Sequence, residues 1–398
     1  MACGHLVVIL CVNKQVMLSQ SKLKIILASN TAWSLINFRL GLATALSEAG
    51  YEVILVAPEV NSSQDPQLNA FRQLDLPMAR TGKNPFADFL LFLRFIKIFS
   101  REKPDLFLAF TIKPNIFGNL AANLLHLPTI NNVTGLGTAF MQKTWMTRMV
   151  RLLYKTAFRT RNYVFFQNPD DRNLFFQLKL VSTNNSGLLP GSGVSLRRFS
   201  YSPRNRGSAK FRFLFIGRFL ADKGLNELAE AARAILEQRE DVEFALLGFE
   251  GDSNPSAISP SQLQAWGDEG LFLRLPQTKD VRDEIRNADC VVLPSYREGT
   301  PRSLLEAAAM GRPLITTDAP GCRQVVDDGE NGFLCKVRSS NDLLEKMLLM
   351  LNLNESQLAK MGLCSRKKAK REFDEALVIN RYTVAISASF DSNEVKRK

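Results

Sequence analysis

The run Cys290-Val291-Val292-Leu293 is apolar at every position, so neither face of a strand built from it can be left to water. Strands covered on both faces belong to parallel sheets with helices on either side. The residues that follow keep to that pattern. Pro294 ends the strand, Ser295 to Gly299 make a polar loop, Thr300 is placed as an N-cap and Pro301 as the first helical residue. Ser303 to Met310 form a short helix, Gly311 stops it, and Leu314 to Thr316 begin another strand. The loop therefore lies at the carboxyl end of a parallel strand, beside a helix N-terminus whose free N–H groups and dipole attract phosphates. Glu298 and Glu306 frame this position, and carboxylates accept well from paired sugar hydroxyls. A nucleotide-sugar is the expected ligand.

The first half of the chain repeats the strand–loop–helix unit. Lys24 to Ala28 is read as a strand, Ser29 to Ile36 as its loop, Phe38 to Ala49 as a helix closed by Gly50, and Glu52 to Ala57 as the next strand. This β-α-β start implies a parallel sheet, and without a G-x-G-x-x-G turn it does not imply a dinucleotide. Asn37 and Arg39 are expected at the helix start, within reach of a phosphate. Asp105 to Phe110 and Thr129 to Val133 are further strands, with a helix from Asn115 to Leu124 between them and Lys113 at a carboxyl end. Gly135 and Gly137, in TGLGTAF, let backbone approach a ligand closely. Two helical stretches mix bases with large apolar residues: Pro85 to Ser100, and Gln142 to Arg161. The second carries Lys143, Arg148, Arg151, Lys155, Arg159 and Arg161 among Trp145, Met149, Leu152 and Phe158. Each fits either a helix packed on the protein or one lying on an anionic lipid surface. Tyr163 to Gln167 and Asp170 to Leu178 complete this half as strand and helix.

Residues 200–209 (SYSPRNRGSA) form a polar linker. Beyond it come a strand from Phe211 to Ile216, then Arg218 and Lys223 with four residues between them, then a helix to about Gln238. Two fixed cations at a strand's carboxyl end can clamp a diphosphate. Glu243 to Leu247 is the next strand, followed by Gly248, and Phe272 to Leu275 another, before a helix from Val281 to Asn287. The expected organisation is an appendage at 1–20, a domain at 21–199, the linker at 200–209, a second domain at 210–372, and a helix in 373–398 crossing back to the first domain.

A chain of 398 residues, 45% hydrophobic and 23% charged, suits two globular domains. Its six cysteines are scattered without a C-x-x-C pair, which speaks against zinc or a disulfide framework. The net charge of +12 lies in residues 1–200, which hold 22 Lys and Arg against 10 Asp and Glu. A basic half meets something acidic: nucleic acid, anionic lipid or a phosphorylated substrate. No stretch is long and apolar enough to span a membrane, and Leu6 to Val12 lacks the basic lead of a signal peptide.

Glu298 and Glu306, with seven residues between them and Gly299 and Pro301 inside, resemble the E-x7-E signature of retaining GT-B glycosyltransferases of family 4. Arg218 and Lys223 match the R-x4-K element that accompanies it. GRPLITTDAPGCRQVVDDGENGFL and LLPGSGVSLRRF are similar to the same family, while LPQTKD departs from its usual L-G-x-x-x-D. YREGTPRSLLEA and APGC look most like bacterial enzymes that extend undecaprenyl-diphosphate-linked oligosaccharides or surface polysaccharides. The resemblance implies an α/β GT-B fold, two Rossmann-like domains with parallel sheets facing across a cleft. It implies transfer, with retention, of an N-acetylhexosamine from a UDP-sugar to a lipid-linked saccharide or polysaccharide. Glu298, Arg218 and Lys223 would be catalytic. The donor would also meet Gly248, Arg274, Leu275, Gly299, Thr300, Pro301, Arg302, Ser303, Leu304 and Glu306. Asn37, Arg39, Lys113, Gly135 and Gly137 would face the acceptor. No D-x-D occurs, so no metal is expected, nor any cofactor besides the nucleotide-sugar co-substrate. The implied setting is cytoplasmic, peripheral on the inner face of the cytoplasmic membrane through the basic N-terminal domain, with no nucleic-acid partner. A nucleotide-sugar 2-epimerase of the same fold and a silent nucleotide-sugar binder are the alternatives. The scarcity of histidine (His5 and His126 only) weighs against the epimerase.

Overall fold

The computed structural model describes residues 22–61, 66–79, 84–136, 145–158, 162–203, 210–250 and 254–397. They build two wholly parallel sheets. The first uses β1 (Lys24–Ala28), β2 (Glu52–Ala57), β3 (Arg72–Asp75), β4 (Leu106–Phe110), β5 (Thr129–Val133), β6 (Asn162–Phe166) and β7 (Ser186–Leu188), in the order β3-β2-β1-β4-β5-β6-β7. Its helices are α1 (Ala32–Glu48), α2 (Pro85–Glu102), α3 (Asn119–Leu124), α4 (Trp145–Ala157) and α5 (Pro169–Gln177). The second uses β8 (Phe211–Phe219), β9 (Val242–Glu250), β10 (Leu273–Arg274), β11 (Cys290–Leu293), β12 (Leu314–Thr317) and β13 (Gly332–Cys335), in the order β10-β9-β8-β11-β12-β13. With it go α6 (Leu225–Leu236), α7 (Pro260–Asp268), α8 (Arg282–Arg286), α9 (Arg302–Ala309), α10 (Ser340–Leu351), α11 (Glu355–Glu372) and α12 (Glu375–Arg397).

Both faces of the first sheet are covered, and the strand period decides which residue goes where. Ile25, Leu27, Val53, Leu55, Leu106 and Leu108 pack with Leu35, Leu42 and Leu46 of α1 and with Val378, Tyr382 and Ile386 of α12. Their neighbours Ile26, Ala28, Ile54, Val56, Phe107 and Ala109 pack against α2 and α3 on the other side. α12 thus follows the second sheet in the chain yet packs on the first. Residues 201–203 hold to the second lobe: Arg312 Nη2 donates to Ser202 O at 2.6 Å and Ser202 N to Met310 O at 3.3 Å.

Several boundaries differ from the sequence expectation. α1 begins at Ala32, capped by Thr31, whose Oγ1 accepts from Ser34 N at 3.1 Å. Asn37 and Arg39 therefore lie inside the helix, not at its start. α9 begins at Arg302 with Pro301 as N-cap; the Thr300 hydroxyl instead donates to Gln167 O at 2.9 Å. β8 runs on to Phe219 and takes Gly217 and Arg218 into the strand. The strands not anticipated, β3, β7 and β13, are all at sheet edges.

Candidate active site

The carboxyl ends of β8 and β11 meet at one ion pair. Lys223, the last residue of a 3-10 turn after β8, pairs through Nζ with Oε1 of Glu298 in the loop after β11. The side chains are 19% and 14% exposed, so the pair is largely shielded from solvent. Gly224, at φ +75°, makes the approach possible, since a Cβ there would run into the carbonyl of Pro294. Arg218 lies near the end of β8, exposed and with no side-chain partner among the described residues. The two expected cations therefore share a strand end but differ in state: Lys223 is neutralised by Glu298, Arg218 is free.

Glu306 sits on α9 and pairs with Arg302 Nε at 2.9 Å, one turn back. Burial raises its carboxyl pKa, and the neighbouring Arg302 opposes that rise. Arg302 also donates to Ser192 Oγ at 3.3 Å and lies 5.8 Å above the ring of Phe38. The N–H groups of Arg302 and half-buried Ser303 open α9, where a helix leaves its donors unused. That of Leu304 is taken by Pro301 O at 3.1 Å, and its side chain is fully buried in the core.

Other expected donor contacts serve the fold. Gly248 pairs in register with Gly217, and a Cβ on Gly248 would collide with that residue's carbonyl. Arg274, at the outer strand β10, pairs with Glu250 at 3.2 Å and lies 6.0 Å from the Phe219 ring centroid. Leu275 packs on the second core and donates its N–H to Leu246 O at 3.0 Å.

On the facing lobe, Asn37 Nδ2 is spent on Trp33 O at 2.9 Å, and Lys113 pairs with Asp88 at 2.7 Å. Lys113 also lines a recess of about 420 Å³ with Arg94, Met78, Leu90 and Leu91. Arg39 is buried, 4.4 Å over the ring of Phe110. Gly135, at φ +134°, brings its backbone against Gly299, where a Cβ would stand 3.1 Å from Gly299 N. Gly137 lies outside the described residues.

What sequence reasoning missed is the contact between the lobes. Asn168 caps α5 by accepting from Asp171 N at 2.8 Å, and its Nδ2 donates across to Gly299 O at 2.9 Å and Glu298 O at 3.3 Å. Asp171, fully buried, pairs with Arg297. Asp170 accepts from Arg323 and Gln324, each at 3.3 Å. The Asn-Pro-Asp-Asp run was a visible helix-start signal, but nothing in it announced a partner across the cleft.

Among the described residues no group of three or more His, Cys, Asp and Glu could hold a metal ion, and no helix is long and apolar enough to cross a membrane. Compared with known proteins, residues 24–168 match the model of glycosyl transferase 4-like domains, and residues 201–367 that of glycosyl transferases group 1. The chain is a glycosyltransferase, a glycosyl transferase 4-like domain followed by a group 1 domain. This transferase is similar to the N,N'-diacetylbacillosaminyl-diphospho-undecaprenol alpha-1,3-N-acetylgalactosaminyltransferase of Campylobacter jejuni, 26% identical over 371 residues, covering 89% of this chain and 96% of that protein. It is also similar to the UDP-Gal:alpha-D-GlcNAc-diphosphoundecaprenol alpha-1,3-galactosyltransferase of Escherichia coli, 24% identical over 318 residues, covering 75% and 79% of the two chains. Among solved structures, sucrose-phosphate synthase from Thermosynechococcus elongatus superposes with a TM-score of 0.76 at 17% identity, covering 93% of this chain and all of that one. Anabaena HepE in complex with UDP and glucose gives a TM-score of 0.75 at 15% identity, over 92% of this chain and 100% of that one. These two likenesses show the shared GT-B fold of the transferase.

Proposed function

We propose that the transferase moves an N-acetylhexosamine from a UDP-sugar to a saccharide carried on a polyprenyl diphosphate, with retention and without a divalent metal. The observation that carries this reading is the Lys223–Glu298 pair, which joins the two sequence stretches at the mouth of a parallel sheet and beside the N-terminus of α9. Lys223 holds the Glu298 carboxylate in place to accept from the donor's sugar hydroxyls. As the glycosidic bond breaks, charge gathers on the departing diphosphate. Arg218 and the first N–H groups of α9 meet that charge more strongly in the transition state than in the ground state. The acceptor hydroxyl attacks from the leaving-group side, so no side-chain nucleophile is required. The Campylobacter relative, matched over nearly its whole length, supports the choice of sugar and lipid carrier.

The same reading puts the protein on the inner face of the cytoplasmic membrane. α2 exposes Phe86, Phe89 and Leu93, and α4 exposes Trp145, Met149 and Leu152 alongside Arg148 and Lys155. Both helices pack against α3 in one layer. Apolar side chains flanked by bases suit an anionic lipid surface.

The test is transfer from UDP-GalNAc or UDP-GlcNAc to an undecaprenyl-diphosphate-linked saccharide, with and without EDTA, reading the product's anomeric configuration by NMR. Transfer with retention in EDTA is expected, and Glu298→Gln should lower kcat by roughly 10²-fold or more. Full activity in Glu298→Gln, an inverted product, or loss of transfer in EDTA would each remove the corresponding part of the proposal.

A further inference from the structure

Arg39 is only 2% exposed, yet no carboxylate among the described residues pairs with it, and its Nε is buried without a hydrogen-bond partner. A buried guanidinium is costly unless an opposite charge compensates it. The face of Phe110 at 4.4 Å gives only partial relief. Burial is the main influence lowering its pKa; Tyr382 opposes it, and the nearby Arg302 adds a smaller like-charge repulsion. The hydroxyl of Tyr382 is also close, but it already accepts from Asn132 Nδ2 at 2.9 Å. Arg302 has a counter-charge of its own in Glu306. The unbalanced charge is therefore that of Arg39, at the seam where α1 of the first lobe meets α9 of the second and the returning α12.

We propose that Arg39 is an anion anchor for this site, taking a phosphate oxygen of a bound diphosphate in the cleft between α1 and α9. Inorganic solutes aside, two diphosphates enter under the transferase reading, on which this inference rests: that of the nucleotide donor and that of the lipid-linked acceptor. Both present the same chemistry to a guanidinium, a delocalised cation suited to paired phosphate oxygens. Water can satisfy a stray N–H but cannot neutralise the charge, so occupancy by an anion is what makes a buried, unpaired Arg tolerable here. Ligand-free protein carries the unfavourable charge and the complex relieves it, which ties tight binding to the burial itself.

The experiment is calorimetric titration of the full chain with UDP and, separately, with farnesyl diphosphate, using wild type, Arg39→Met and Arg39→Lys at low and high salt. Thermal melts of the three ligand-free proteins accompany it. Arg39→Met is expected to lose about tenfold or more in affinity for at least one of the two compounds, the loss that follows removal of a charge-assisted hydrogen bond. Its remaining binding should depend less on salt, and its ligand-free melting temperature should be equal to or above that of wild type. Arg39→Lys, which keeps the charge, should bind more tightly than Arg39→Met. Loss confined to UDP assigns the phosphate to the donor, and loss confined to farnesyl diphosphate assigns it to the acceptor. Unchanged affinity for both in Arg39→Met, or a large fall in ligand-free stability, would show a packing role and overturn the inference alone. Wild type binding neither compound would instead bring down the transferase reading beneath it.

Discussion

At Gly299 a single methyl group would be too much. A Cβ there would collide with the carbonyl of Thr134 and lie 2.6 Å from Gln167 Oε1, both on the opposite lobe. The end of the Gln167 side chain can swing aside, but the Thr134 carbonyl is backbone and cannot yield cheaply. Gly299→Ala is expected to destabilise the protein by about 1–3 kcal/mol, as overpacking does, and to cut transfer by displacing Glu298, its neighbour in the chain. Calorimetric melting and the transfer assay check both; a variant that matches wild type in each would mean the loops do not need this contact. The family resemblance names Gly299 as a neighbour of the donor; what the structure shows is close approach of Thr134, more than 160 residues away in the chain.

Among the elements, the short turn from β6 into α5 joins the lobes through Asn168, Asp170 and Asp171. Asp171 is wholly buried beside Arg297, and burial pushes its carboxyl pKa up even though Arg297 pulls it down. A carboxylate with a raised pKa stabilises the fold least once it is charged, so its contribution falls as pH rises above the ordinary carboxylate range. Arg297→Met strands that carboxylate and is expected to cost about 3 kcal/mol or more near neutrality. The deficit should shrink at acid pH, where Asp171 can take a proton. Melting curves of both proteins from pH 5 to pH 8 test this, and a deficit that does not change with pH would mean Asp171 is not the source. Elements of this kind were readable only in part. Strands buried on both faces, such as CVVL and LFLAF, declared themselves by uninterrupted apolarity. TINNV was also read as a strand, but not what lets it lie in mid-sheet: Asn131 is tolerated there because its Nδ2 donates to Thr129 Oγ1 at 3.1 Å and to Asn119 Oδ1 at 3.3 Å. β3, RQLD, is half exposed at a sheet edge and had no apolar pattern to show.

For the molecule as a whole, the proposed membrane contact assigns the layer of α2, α3 and α4 to the bilayer surface. Replacing both Arg148 and Lys155 by Ser should weaken sedimentation with phosphatidylglycerol vesicles by about tenfold or more, at roughly 1 kcal/mol for each base near an anionic surface. Binding to phosphatidylcholine vesicles should not change. Equal binding of variant and wild type to anionic vesicles would remove α4 from the contact. The two-sheet architecture could be inferred from recurring strand–loop–helix units, since that pattern is local. The packing between the lobes could not, because it depends on residues far apart in the chain.

The return of α12 has a consequence for how the protein is made. Val194 and Asp374 form a parallel bridge, with Val194 N donating to Phe373 O at 2.8 Å and Glu375 N to Val194 O at 3.1 Å, so the two passes of the chain between lobes are tied side by side. Val378, Tyr382 and Ile386 then complete the core against which α1 packs. During synthesis the amino-terminal half emerges first but lacks part of its own interior until the ribosome has translated past Ile386. The second lobe, whose core is supplied by residues 194–373, can finish earlier. The half that is born first is therefore the half that matures last, and it spends most of translation with one apolar flank uncovered.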